Sequence, residues 1–398
     1  MSSGANAASP AGLADYRLDD ALQAERGRIF LTGTEALVRL LVMQAARDRG
    51  RGLATAGFVS GYRGSPLGGV DEALWRSEPL LARHRIRFLP AVNEELAATA
   101  VLGTQRVESD SERTADGVFA LWYGKGPGLD RAGDALRHGT AYGSSPHGGV
   151  LVVVGDDHGC VSSSMPQQSE IAMQAWSMPV VNPANVAEYL EFGLYGWALS
   201  RFSGAWVGFK AISETVECGV TVDLDRLATA FDAPVEHTPP AGGLHYRWPD
   251  LPSLAIEERL AAKLAAVRAF ARVNSIDKEV IRAERAELGI VTCGKAHFDL
   301  MESLRRLELA PDDLARAGVR LYKIGLSFPL EPTRIGEFAR GLREILVIEE
   351  KGPFVENQLK QLLYAAPDGV RPAIYGKTTP AGAPLLAALG ELRPSRVM

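Results

Sequence analysis

The stretch "AVNEELAATAVLG", residues 91–103, decides the fold. A short apolar strand, "IRFLP", runs into it, and an asparagine and two glutamates then open an alanine-rich helix. A carboxylate at a helix start is favoured by the helix macrodipole, so ordinary capping is one account of it. The other account is chemical. A strand-to-helix junction at the carboxyl end of a parallel strand is where open α/β sheets hold ligands. What lies around the stretch separates the two.

Outward from it, strand-like and helix-like runs alternate, the pattern of an α/β protein with a mainly parallel sheet. "LTGTEALVRLLVMQAARDRG" (31–50) is an amphipathic helix with a threonine-rich start. "GVFALWY" and "GVLVVVGDD" are buried strands, and "AWVGFKAI" is another. "DAPVEHTPPAGGLHYRWPDLPS" is a Pro/Gly-rich excursion across a surface. The helix after it, 253–273, places Leu260, Leu264, Val267 and Ala271 on one face. A second α/β unit begins at "AELGIVTCGKAHFD" and continues through "RLYKIG", "EILVIEE" and "RPAIYGK".

Composition removes several classes. The chain has 398 residues, 46% hydrophobic and 23% charged, with a net charge of −5. That balance gives no basis for non-specific nucleic-acid binding. Its apolar runs are strand-length, too short to span a membrane. Residues 1–15 are small and polar without the pattern of a signal peptide, so they read as a disordered tail on a cytoplasmic protein. Cys160, Cys218 and Cys293 form no CxxC, which argues against a zinc site or an iron–sulfur cluster on this chain and leaves small buried hydrophobes.

Two motifs are decoys. "GIVTCGKA" (289–296) nearly matches a P-loop, but position 296 is alanine where a magnesium-binding hydroxyl is needed, and Ile, Val and Thr favour a strand. "GDD" (155–157) precedes Asn182 at nearly the spacing of a diphosphate-metal motif. Asp157 replaces the closing glycine and Pro183 follows the asparagine. The segment "HGCVSSSMPQQSE" reads instead as a substrate-facing loop, with Asp157 at its start, and no metal is assigned.

The Asn93-Glu94-x-x-Ala97 pattern, with Gly103 nine residues after the glutamate, resembles the pyrimidine-binding domain of thiamine diphosphate enzymes. "SGYRGSPLGGVDEAL", "FALWYGKGPGLDRAGDALRHGTAYGSSPHGGVLVVVGDDHG", "YGWALSRFSGAWVGFKAISETV", "LYKIGLSFPLEP" and "EILVIEEKGPFVENQLK" are similar to the amino-terminal portion of indolepyruvate:ferredoxin oxidoreductase in its long fused bacterial form. The similarity covers roughly residues 29–385. It implies a tail and lead-in at 1–28, a pyrimidine-binding domain at 29–230, a linker and helix at 231–284, and a transketolase carboxy-terminal-like α/β domain at 285–398. The activity implied is oxidative decarboxylation of aryl 2-oxo acids to acyl-CoA, with electrons passing through iron–sulfur clusters to ferredoxin. A pyrophosphate-binding domain is expected after residue 398 and cluster cysteines are expected as well; the sequence has neither. Thiamine diphosphate with magnesium is therefore shared with a partner that carries the pyrophosphate domain and the clusters. A homodimer through the first domain is expected.

By this resemblance Glu94 is the catalytic residue, a carboxyl that shares a proton with the cofactor's aminopyrimidine and favours its imino tautomer. Glu95 faces solvent. "GYRGSP" (61–66) is a loop where Arg63 clamps a 2-oxo acid carboxylate and Ser65 supplies a hydroxyl; the alternative is a tight turn with a surface arginine. "YGKGPGLD" (123–130) is a glycine-rich loop. Gly124, Gly126 and Gly128 offer backbone to the cofactor there, and Lys125 draws an anionic substrate or CoA, or is a solvated lysine. His147 and His158 are read as structural, the alternative being an acid or base near neutral pH, and Trp122, Trp197 and Trp206 pack in the core or at subunit contacts. Two other functions stay open: a catalytically silent binding module, and a transketolase- or dehydrogenase-type thiamine component.

Overall fold

The computed structural model describes residues 16–247, 250, 253–365 and 371–398. The tail read at 1–15, and the linker at 248–249 and 251–252, lie outside the described residues. In chain order the strands are β1 (Arg28–Thr32), β2 (Ala56–Gly61), β3 (Ile86–Phe88), β4 (Val118–Lys125), β5 (Val150–Asp156), β6 (Val180–Val181), β7 (Val207–Ile212), β8 (Gly219–Asp223), β9 (Lys278–Ile281), β10 (Leu288–Cys293), β11 (Val319–Ile324), β12 (Leu326–Phe328), β13 (Glu344–Ile348) and β14 (Ala373–Tyr375).

Among the described residues these strands form three sheets. The largest has the order β12-β6-β7-β5-β4-β2-β3 and is parallel except for β12, which runs antiparallel to β6. The second, β14-β13-β10-β11-β9, is parallel except for β9. The third is the antiparallel ribbon of β1 and β8.

β4 and β5 lack polar alternation because both of their faces are buried. Phe119, Leu121, Tyr123, Leu151 and Val153 enter a core with Leu40, Phe192 and Trp197. Ala120, Trp122, Val152 and Val154 face the other way, into a core shared with Val291, Ile324, Phe338 and Val347 of the second unit. Trp122, Trp197 and Trp206 are fully buried. The helix Gly33–Gly50 starts at a capping box: Thr32 Oγ1 accepts from the Glu35 amide at 3.2 Å, and the Glu35 carboxylate accepts from the Thr32 amide at 2.9 Å.

The helix Ala255–Val273 corrects one expectation. Val267 and Ala271 are buried, but Leu260 and Leu264 are only half-buried, and Arg259 and Lys263 lie inside. Lys263 Nζ donates to the carbonyls of Thr140 (2.6 Å) and Ala141 (2.9 Å), near the end of the helix Gly133–Tyr142. Those carbonyls have no partner in their own helix, so the buried Lys263 amine satisfies them. An apolar count cannot see this. The cysteines differ too: Cys293 is buried, Cys160 is half-buried and Cys218 is exposed.

The two units share a sheet. β12, from the second unit, forms an edge of the first sheet, and the Asn182 amide donates to the Gly325 carbonyl at 2.8 Å beside it. Among the described residues no helix is long and apolar enough to cross a membrane.

Candidate active site at the carboxyl edge of the first sheet

Because β2, β3, β4 and β5 are parallel, their carboxyl ends and following segments share one edge. β3 ends at Phe88, and the chain turns through Asn93 into the helix Glu94–Thr104. Asn93 is extended and its Oδ1 accepts from the Leu96 amide at 2.9 Å, which fixes the first turn. Trp122 Nε1 donates to the Glu94 carbonyl at 3.0 Å and pins that turn to β4.

Glu94 is 6% exposed. Among the described residues no donor is hydrogen-bonded to its carboxylate oxygens. Buried carboxylates are ordinarily satisfied, so this one keeps its acceptor capacity free. Glu95 is exposed on the same turn.

The glycines of 123–130 are arranged differently from the expected loop. β4 continues to Lys125, and a short helix, Gly126–Arg131, starts at once with Pro127 in its first turn. Proline's missing amide costs nothing there. Gly128 backs directly onto Glu94: a β-carbon would stand 2.6 Å from its Cγ and Oε1. Gly126 backs onto Gln167, whose Cγ would lie 2.5 Å from an added β-carbon. Gly124 sits within β4 under the Trp122 ring, 2.7 Å from where its β-carbon would be, so its place is set by core packing.

Lys125 is half-buried, its stem lying over Gly64. This brings it to the 61–66 loop, where Arg63 is exposed and Ser65 half-buried. Pro66 packs over Gly155, closing the loop onto the end of β5. The edge thus brings together Glu94, Gly126, Gly128, Lys125, Arg63 and Ser65. Asp157 is turned away. It is 2% exposed, and its oxygens accept from the amides of Val161 (2.9 Å), Ser162 (2.9 Å) and Ser163 (3.0 Å). Burial pushes its carboxyl up, but those hydrogen bonds outweigh it and hold the group below its ordinary range. Asp157 shapes the 157–168 loop and does not face the edge.

Beneath that loop lies an ionic network that motif reading did not find. Lys210 donates to both oxygens of Glu170 (2.6 and 2.7 Å) and stands 3.5 Å from Asp156, whose carboxylate also accepts from the Ser169 amide at 3.0 Å. From the second unit, Glu349 accepts from the amides of Val355 (2.8 Å) and Glu356 (2.9 Å). Burial still pushes Glu349 up to about 7. Glu350 stands 3.4 Å from Lys295. Lys295 also donates to Asp299 and to the Leu392 carbonyl, each at 2.7 Å, so the lysine of the P-loop-like stretch is spent on structure.

Both ring nitrogens of His158 are buried without a hydrogen-bond partner, 3.9 Å from Asp156 and 3.8 Å from Glu350. Burial first, then the neighbouring lysines, hold it well below its ordinary range. The cavity among these groups is about 10 Å³, room for about one water. The sequence signal was the acidic pair and lysine, "EEK", after β13. The Asn182 side chain bonds Cys293 Sγ at 3.4 Å across the seam between the units, while Asp156 serves Ser169 and Lys210.

The site is thus built on two mainly parallel α/β units joined through a shared sheet, with a buried carboxyl at the carboxyl edge of the first. Solved structures of the same fold include a 2-oxoglutarate:ferredoxin oxidoreductase from Magnetococcus marinus, with TM-score 0.62 and 16% identity over 94% of this chain and 65% of that one. A split-gene transketolase in an inactive β4 tetramer has TM-score 0.53 and 13% identity over 88% of this chain and 90% of that one. Residues 278–398 match the family model described as indolepyruvate oxidoreductase domain. Indolepyruvate oxidoreductase subunit IorA of Methanothermobacter marburgensis is 26% identical over 368 residues, covering 90% of this chain and 52% of the relative. IorA of Pyrococcus abyssi is 24% identical over 354 residues, covering 88% and 49%. The chain spans about half the length of the curated relatives it matches.

Proposed function

We propose that this chain supplies the pyrimidine-binding half of a thiamine diphosphate-dependent 2-oxo acid:ferredoxin oxidoreductase acting on indolepyruvate or a related aryl pyruvate. The observation that carries this reading is Glu94, a buried carboxyl with free acceptor capacity, seated on a glycine at a sheet's carboxyl edge. These residues fit the pyrimidine end of the cofactor. They do not fit its diphosphate end, since Asp156 is committed to Ser169 and Lys210.

When bound, thiamine diphosphate supplies a nucleophilic carbon able to cleave the bond between a 2-oxo acid's carbonyl and its carboxylate. Glu94 holds a proton at the pyrimidine ring nitrogen. Gly128 leaves room for the Glu94 side chain, and the backbone of Gly126 and Gly128 is offered to the ring. Lys125 and Arg63 attract the carboxylate of the oxo acid or the phosphates of CoA, with Ser65 beside them. Magnesium, the diphosphate ligands and the iron–sulfur clusters are assigned to a partner with a pyrophosphate domain, from which electrons pass to ferredoxin. Around the edge Tyr62, Leu89, Val92, Leu96, Val161 and Met165 are exposed. Such apolar surface is characteristic of an interface, and it is read here as the partner's seat. The assembly is cytoplasmic and dimeric through the first unit.

The test is Glu94→Gln in the complex of this chain with its partner. The nearly isosteric change should leave the unfolding transition in place and abolish deuterium exchange at the cofactor's thiazolium carbon. Exchange at the wild-type rate would sink the assignment.

A further inference from the structure

The helix Gly33–Gly50 starts near the Glu94 edge, where Thr34 lies against Gly69, and runs back toward the opposite edge of the sheet. Along that course it borders a groove of about 630 Å³. The volume lies within the roughly 300–1,000 Å³ of small-molecule sites.

The groove combines two surfaces. Val42, Met43, Leu80 and Leu194 give it an apolar floor. Arg39, Arg47, Arg49 and Arg83 give it a cationic wall, beside which burial and the charges of Arg49 and Arg83 hold His84 below its ordinary range; Glu25 is the one carboxylate among its described lining residues. Four guanidinium groups therefore face a single acid.

The wall also holds donors that lack acceptors. Arg39 Nε, Arg47 Nη2 and His84 Nδ1 are buried and unpartnered. Arg39 is 3% exposed; its other two nitrogens donate to the carbonyls of Ala21 and Ala24, which anchors the lead-in segment as one side of the groove. The Arg47 guanidinium lies over the Phe231 ring, 4.8 Å from its centroid. Burial lowers both arginines to about 10, aided at Arg47 by the charges of Arg51 and Arg201, so both remain cationic at neutral pH. Buried donors without acceptors are unfavourable, and the exposed guanidinium groups of Arg49 and Arg83 beside them leave the groove short of negative charge. Planar guanidinium groups match carboxylate and phosphate oxygens.

We propose that this groove binds a small amphipathic anion, its apolar body on the Val42–Met43–Leu80 floor and one carboxylate or phosphate among Arg39, Arg47, Arg49 and Arg83. The site is separate from the Glu94 edge and does not depend on the function proposed there.

The test is calorimetry on the full chain with octanoate and octyl phosphate, with octanol for the apolar body alone and inorganic phosphate for the charge alone. Either amphipathic anion should bind one site at least about tenfold more tightly than both controls, and the tighter of the two names the head group. Arg49→Gln combined with Arg83→Gln changes two exposed side chains and spares the core; it should weaken that binding about tenfold with no change in the unfolding midpoint. Binding of octanol as tight as octanoate, no binding of either anion, or unchanged affinity in the double variant would each overturn the proposal.

Discussion

Gly128 and Glu94 are in direct contact: a β-carbon on the glycine would stand 2.6 Å from Oε1 of the glutamate. In Gly128→Ala the Glu94 side chain has to move, because it is the softer partner. Alanine is otherwise favoured over glycine in a helix by about 1 kcal/mol, so stability should change little. On the function proposed for Glu94, displacing its carboxyl is far more costly, about a hundredfold for a shift on the order of 1 Å. Turnover by the assembled enzyme should fall by about that factor while the urea midpoint holds. A variant that unfolds early would show that the contact is structural.

Lys263 carries a different expectation. Its buried Nζ donates to the Thr140 and Ala141 carbonyls. Lys263→Met fills the same space and leaves both carbonyls unpaired, at a cost of about 1–3 kcal/mol. Urea unfolding measures it, with the exposed Glu257→Ala as a control expected within about 0.5 kcal/mol of wild type.

Glu349 sets a pH dependence. Its folded value is about 7 against an ordinary 4.5, so between those values the folded chain holds a proton that the unfolded chain has lost. Its contribution is full below pH 4.5 and declines as pH rises to 7. Glu349→Gln removes that dependence. From about pH 5 to about pH 8 the variant should gain on wild type by at most about 3 kcal/mol. His158, held low, works in the opposite sense and is common to both proteins. A constant difference across the range would contradict the assignment.

Val92 is 81% exposed and Leu96 is 53% exposed, next to Glu94. If the partner seats there, Val92→Asp with Leu96→Asp should weaken association by about tenfold or more. The variant should keep its own unfolding midpoint. Sedimentation of the mixed components reads the loss.

The parallel sheet was legible because strands buried on both faces are continuous apolar runs, as in Val150–Asp156. The position of Glu94, buried at the carboxyl edge, was legible because a family pattern marked it. Asp157 was not: a loop that folds back on a carboxylate looks, in sequence, like a loop that presents one. Gly124 and Gly128 look identical in a string of glycines, yet one packs under Trp122 and the other against Glu94. The Lys210–Glu170 pair joins residues 40 apart and carries no local signal.

The loan of β12 to the first sheet has a consequence for how this protein is made. Residues 326–328 leave the ribosome long after β6 and β7 have formed their side of the sheet. Until then β6 is a bare edge, able to pair with a neighbouring nascent chain. A plasmid encoding only the first unit would fix that vulnerable interval permanently. Expression of such a piece should give inclusion bodies, and supplying the remainder in trans should recover some of it.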